Sequence, residues 1–141
     1  MAKRRISVLV LSPDQKRVLV SRRTGRWEVP DSGVHWPGGK RMKAPKATAE
    51  SLIQICMHGV TDPKQVKQWI KDSRRHILPT GGFAYTIETD IDEMVRIANR
   101  VNKFMHLDKP ILEMHDVDEV ADSFGKYGGS TIEAVRSLAP Y

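Results

Sequence analysis

Cysteine is almost missing from this 141-residue chain: Cys56 stands alone, so no intramolecular disulfide forms and no multi-cysteine zinc site can be built. That scarcity predicts a reducing, intracellular setting. Long apolar runs are missing as well. Nothing approaches the roughly 20 apolar residues needed to cross a bilayer, which predicts a cytoplasmic chain with no membrane partner. The charged start Met1-Ala-Lys-Arg-Arg is followed by an apolar run, Ile6 to Leu11, that is too short for an export signal and meets Pro13, Asp14 and Lys16. Repeats, low-complexity tracts and linkers are also lacking, so a single domain over residues 1–141 is expected. With 40% hydrophobic and 28% charged residues, the composition excludes a disordered chain and suits a packed core.

Acidic residues are scarce in one part only. Residues 1–87 carry 17 Lys/Arg against 6 Asp/Glu, a net +11, whereas residues 88–141 carry 6 against 11, a net −5. The positive part favours polyphosphate, nucleic acid or an acidic protein surface through long-range attraction. A solvated surface that merely keeps the protein soluble would account for the same charges.

Two β-rich runs, Ile6–Ser12 and Arg17–Arg22, flank the turn signal Pro13-Asp-Gln-Lys16 and predict a hairpin. Gly25 precedes a short strand at Trp27–Val29, and two prolines and three glycines between Pro30 and Gly39 enforce a loop. A helix is expected from about Ala47 to His58, stopped by Gly59 as its cap. Asp62-Pro63 pairs a cap donor with proline at the first helical position, opening a second helix to about Asp72 anchored by Trp69 and Ile70. A second hairpin, His76–Leu78 with Phe83–Thr89, turns at residues 79–82. Ile91, Met94, Val95, Ala98, Val101 and Met105 then repeat with a helical period and predict an amphipathic helix docked on a sheet. Asp108-Lys-Pro110 ends it, a short strand follows at Ile111–Met114, and a closing helix is expected at Thr131–Leu138. Strands interleaved with helices in this order indicate an α/β (α+β) fold.

Val18-Leu-Val-Ser-Arg-Arg23, Gly25-Arg-Trp-Glu-Val-Pro30 and Trp36-Pro-Gly-Gly-Lys40 together resemble the front half of Nudix proteins. In that family a strand ending in Arg leads into a Trp-x-x-Pro-Gly-Gly-Lys turn, and about ten residues later a helix ends in Gly. Residues 6–60 carry the resemblance, and the later elements are compatible with it to about Leu138. It implies a mixed β-sheet sandwiched between helices, and an activity on nucleoside-diphosphate-linked substrates. Three departures qualify it. The turn motif is split by an insertion between Trp27–Pro30 and Trp36–Gly39. The loop after Gly39 holds Lys40, Arg41, Lys43 and Lys46 where the family has acidic and small residues.

The third departure concerns the metal. The family places a Glu early in the motif, then Arg-Glu and a Glu-Glu pair on the helix, where carboxylates hold divalent cations against a diphosphate. Counted back from Gly59, the Glu positions fall on Ile53, Cys56 and Met57. Counted forward from Gly39, they fall on Gln54, Met57 and His58, with Pro45 at the early position. Neither register yields a carboxylate. Ala49, Leu52, Ile53 and Cys56 form an i, i+3, i+4, i+7 stripe that should be buried, which sets Glu50, Gln54 and His58 on the outward face and favours the second register.

Glu28 and Glu50 are the weak candidates for catalysis, although an ordinary surface or ion-paired role suits Glu28 better. Asp31, His35 and His58 lack the spacing of a metal site. Cys56 lies on the apolar stripe and reads as a core thiol. Gly128-Gly-Ser-Thr131 reads as a turn and cap more readily than as a phosphate cradle. Trp27 and Trp36 stand among basic residues, the mixture that stacks and clamps nucleotides; Trp27 is expected in the core, and Trp36, within the inserted loop, is left open between packing and stacking.

These readings converge on a domain with a degenerate metal site that binds nucleotide, RNA or another polyanion without hydrolysing it. Its expected ligand-binding residues are Arg22, Arg23, Arg26, Trp36, Gly38, Gly39, Lys40, Arg41, Lys43, Lys46, Gln54 and His58. No cofactor and no resident metal are expected. One alternative is a divergent Nudix phosphohydrolase that uses Glu28 and Glu50 with Mg²⁺. Another is a structural or protein-binding component of a nucleoprotein or viral assembly, which would place it in a host cytoplasm.

Overall fold

A computed structural model describes residues 6–23, 26–32, 44–78 and 82–122. The Trp36–Lys43 stretch, the tip of the second hairpin, the glycines at 128 and 129 and the closing helix expected at Thr131–Leu138 lie outside the described residues.

The fold is mixed α+β, with one mixed sheet and four helices among the described residues. The elements follow the order β1 (Ile6–Leu11), β2 (Arg17–Arg23), β3 (Arg26–Glu28), α1 (Pro45–Cys56), α2 (Pro63–Asp72), β4 (Arg74–Ile77), β5 (Phe83–Glu88), α3 (Asp92–Phe104), β6 (Ile111–Asp116) and α4 (Val117–Asp122). The strand order is β3-β2-β1-β5-β4, and β6 lies along β2. Only the β1/β5 pairing is parallel, from Ile6↔Phe83 to Leu11↔Glu88; the others run antiparallel.

The first hairpin opens like a wedge. β1 and β2 pair at Leu11↔Val18, where the Ser12 amide donates to the Arg17 carbonyl at 2.9 Å and closes the turn. Beyond that point β2 turns away from β1 and pairs with β3 through Ser21↔Glu28, Arg22↔Trp27 and Arg23↔Arg26. Residues 30–32 then take the freed edge of β1: the Val8 amide donates to the Pro30 carbonyl at 2.9 Å and the Ser32 amide to the Ile6 carbonyl at 2.8 Å. One segment, 26–32, therefore satisfies the backbone of both diverging strands.

Period-two alternation divides the core between the two faces of the sheet. Ile6, Val8, Val10, Leu19, Tyr85, Ile87 and Leu112 join Ala49, Leu52, Ile53, Cys56, Val66, Ile70, Val95 and Ala98 in the larger cluster, so α1, α2 and α3 cover one face. Leu9, Val18, Val20 and Val29 meet Val120 of α4 on the other, with Trp27 packed against them.

The amphipathic patterns place α1, α2 and α3 correctly, and the ends carry the corrections. α2 starts as read: Asp62 accepts from the Lys64 amide at 3.0 Å, with Pro63 inside the first turn. α1 stops at Cys56, two residues before His58. The His58 amide donates to the Ile55 carbonyl and the Gly59 amide to the Gln54 carbonyl at 3.0 Å, the paired bonds of a Schellman ending. His58 (φ 56°) holds the left-handed position usually given to glycine, and Gly59 (φ 76°) follows it in the same region. Gly59 is thus the second residue of the stop and not its hinge.

On α3, Ile91, Val95 and Ala98 are buried, but Met105, assigned above to the same stripe, is exposed. The helix ends at Phe104, so Met105 caps it and departs from the helical period. The short α4 was missed. Its signal is local, since Asp116 accepts from the amides of Asp118 (2.9 Å) and Glu119 (3.2 Å), which makes Asp116-Val-Asp-Glu119 a helix start.

Candidate functional site

Helix α1 carries the polar positions read as the remnant of a catalytic helix. Thr48, Ala49, Leu52, Ile53 and Cys56 are buried, so the stripe argument gives the correct inward face. Its complement is less open than expected: Glu50, Gln54 and His58 are half-buried, and Lys46 is exposed. From Lys46 to the end of α1 at Cys56 the helix axis rises roughly 15 Å, at about 1.5 Å per residue.

His58 is fixed by its partner. Its Nε2 stands 3.1 Å from the Pro110 carbonyl; a carbonyl only accepts, so Nε2 carries the proton and donates. Burial pushes this imidazole below its ordinary pKa; the Pro110 hydrogen bond opposes the shift and the Lys109 charge adds to it. A depressed pKa leaves the ring neutral at pH 7, and with Nε2 committed to Pro110 and Nδ1 buried, His58 offers a ligand packing and not a positive charge. Cys56 is equally quiet: burial raises its thiol pKa to about 12, far from the thiolate that reactivity needs.

The strand residues sort by alternation. Val18 and Val20 belong to the α4 face, and Arg22, two further along, shares it. There its guanidinium lies 5.2 Å from the Trp27 ring centroid, and the Trp27 and His115 ring centroids are 4.5 Å apart in a tilted arrangement. Trp27 is therefore a half-buried packing residue whose cation–π partner is Arg22. Glu28, the cross-strand partner of Ser21, falls on the α1 face and is half-buried, the same side as Glu50. Arg23 and Arg26 are paired at the very ends of β2 and β3.

Arg22 and the polar flank of α1 thus lie on opposite faces of the sheet and meet only around its end. Pro110, which accepts the His58 hydrogen bond, directly precedes Ile111, and Ile111 pairs with Arg22. Trp36, Gly38, Gly39, Lys40, Arg41 and Lys43 lie outside the described residues. Asp31 and His58, weighed above as metal ligands, are engaged separately: Asp31 is buried and accepts from the Ser7 hydroxyl at 2.6 Å. Among the described residues no three His, Cys, Asp or Glu side chains are grouped to hold a metal ion, and no helix is long and apolar enough to cross a membrane.

A cleft of about 310 Å³ opens elsewhere, between the C-terminal end of α2 and the ends of β4 and β5, walled by Trp69, Asp72, Arg74, Thr86 and Glu88. It contains none of the residues expected at the site. Sequence reasoning also missed an exposed corner at the end of α3, where Phe104 lies outside the apolar stripe of its helix. A large aromatic off the buried stripe was the available signal.

No protein-family model matches the chain, and no curated protein matches it.

Proposed function

We propose that this protein binds an extended polyanion, with single-stranded RNA foremost, and does not hydrolyse it. The observation that carries the reading is the make-up of α1 within a strongly basic region. In a stretch of chain with a net charge of +11, the helix that resembles a metal-binding Nudix helix offers one carboxylate, Glu50, among Lys46, Gln54 and a neutral His58. A hard divalent cation between phosphates requires several oxygen ligands, whereas a bare polyanion requires spaced positive charge. The placement of Arg22 favours a polymer over a mononucleotide. A ligand that touches both Arg22 and the α1 flank has to pass around the end of the sheet, and one nucleotide is too small to do so.

Glu28 and Glu50 share the α1 side of the sheet, which keeps a divergent phosphohydrolase as the second reading. Binding of a short single-stranded RNA should weaken with salt at a log–log slope of about 0.7 per phosphate neutralised, and replacing Lys40, Arg41 and Lys43 by Ala should flatten that slope by up to about 2. An unchanged slope removes the loop from the phosphate contacts and defeats the proposal in this form. Mg²⁺- or Mn²⁺-dependent turnover of nucleoside triphosphates or nucleotide sugars that is abolished in Glu28→Gln or Glu50→Gln would establish the hydrolase instead.

A further inference from the structure

The chain leaves α3 through a corner that is rigid, apolar and basic. Phe104 is 81% exposed and Met105 60%, and Leu107 and Ile111 are exposed beside them. Phe104 and Met105 thus leave most of their apolar surface in water, with Leu107 and Ile111 partly covered beside them, an exposed apolar patch suited to contact. The corner is also held in shape. The Asn102 side chain donates to the Lys109 carbonyl at 2.8 Å and accepts from the Lys109 amide at 2.9 Å, and Asn99 makes the same two bonds with Leu112. Between those clamps His106 (φ 51°) and Asp108 (φ 53°) adopt left-handed backbone, each at a cost of about 1–2 kcal/mol for a residue other than glycine. Arg100, Lys103 and Lys109 are exposed around the corner and form no salt bridge with another described residue.

Its position matters as much as its chemistry. The corner spans the end of the sheet, from α3 on the α1 face to Ile111, which pairs with Arg22 on the other. Pro110, inside the same turn, receives the His58 hydrogen bond. A strand that links the α1 flank to Arg22 crosses this turn.

We infer that the Phe104–Ile111 corner is a base-stacking platform for single-stranded nucleic acid, with Phe104 against a base and Arg100, Lys103 and Lys109 against the flanking phosphates. The inference rests on the polyanion reading above and specifies the part of the ligand that the cations alone do not recognise. An exposed ring flanked by cations suits alternating bases and phosphates. An anionic membrane would favour a wider face, and α3 instead carries Asp92 and Glu93 in its first turn.

The test compares two ligands of the same charge type, a short single-stranded RNA and inorganic polyphosphate, by fluorescence or calorimetric titration. Phe104→Ala should weaken RNA binding about 5- to 150-fold, the range for one stacked base, and leave polyphosphate binding unchanged. Phe104→Leu should behave like Ala, because it keeps apolar area and removes the ring, while Phe104→Trp should retain affinity. The side chain is exposed, so thermal melts of all three variants should match the parent. Equal losses on both ligands, no loss on RNA, or full retention in Phe104→Leu would overturn the stacking role. Binding to vesicles of anionic lipid that disappears in Phe104→Ala while RNA binding persists would reassign the corner to membranes. If polyphosphate binds and RNA gains nothing from Phe104, the stacking inference fails alone; if neither ligand binds, the underlying reading fails with it.

Discussion

Replacing Gly59 with alanine isolates the backbone conformation that ends α1. Gly59 has φ 76°, and a Cβ built on it meets no atom within 4 Å, so the substitution adds no clash with the fold. What remains is the left-handed penalty of an L-residue, about 1–2 kcal/mol, offset by the roughly 0.4–1 kcal/mol gained when the unfolded chain loses a glycine's freedom. A net loss of about 0.5–1 kcal/mol follows. At about 2.1 cal/mol/K per residue for the 141 residues present, the unfolding entropy converts this to a fall in Tm of roughly 2–4 °C.

D-alanine at the same position reverses the sign, because it favours positive φ and still restricts the unfolded chain; it should stabilise by about 0.4–1 kcal/mol. The lone Cys56, three residues upstream, provides a ligation point for the semisynthesis. Urea and thermal unfolding of the three proteins measure the series. Equal stabilities for the L- and D-alanine forms would refute the left-handed conformation of Gly59.

Two further outcomes follow from burial and charge. Leu52→Ala should destabilise by about 2–5 kcal/mol, because the side chain is fully buried in the larger core, whereas Gln54→Ala should cost well under about 1 kcal/mol; the reverse ranking in urea melts would rotate α1 and move the polar flank. Burial lowers the pKa of both His58 and His76, so the folded protein binds fewer protons than the unfolded chain, and stability that is complete above about pH 6.5 is lost as pH falls toward the folded pKa values. The urea midpoint should drop between pH 7.5 and pH 5.5, and less so in His58→Asn; a midpoint that rises toward pH 5.5 would contradict the burial of these rings.

Much of this architecture is written locally. The buried stripe of α1, the Asp62-Pro63 start of α2 and the period of α3 depend on spacing and on side chains within one or two turns, so they are legible before any partner is known. The same holds for the charge asymmetry and for the missing carboxylates of α1, since a residue that is not in the chain cannot be supplied by folding. Strand pairing is different, because it joins residues distant in sequence. Nothing in Arg26–Ser32 shows that the segment serves β2 first and β1 next, and the opposite faces taken by Arg22 and Glu28 follow from the register that sets Glu28 across from Ser21 and Trp27 across from Arg22. Only the tertiary structure sets His58 against Pro110, 52 residues away, and buries the ring, and that burial lowers the pKa of a side chain the sequence left free to carry charge. It also decides that Phe104 remains in water: α3 ends one residue short of its apolar period, and the two asparagine clamps turn the chain back toward β6 before the ring can be covered.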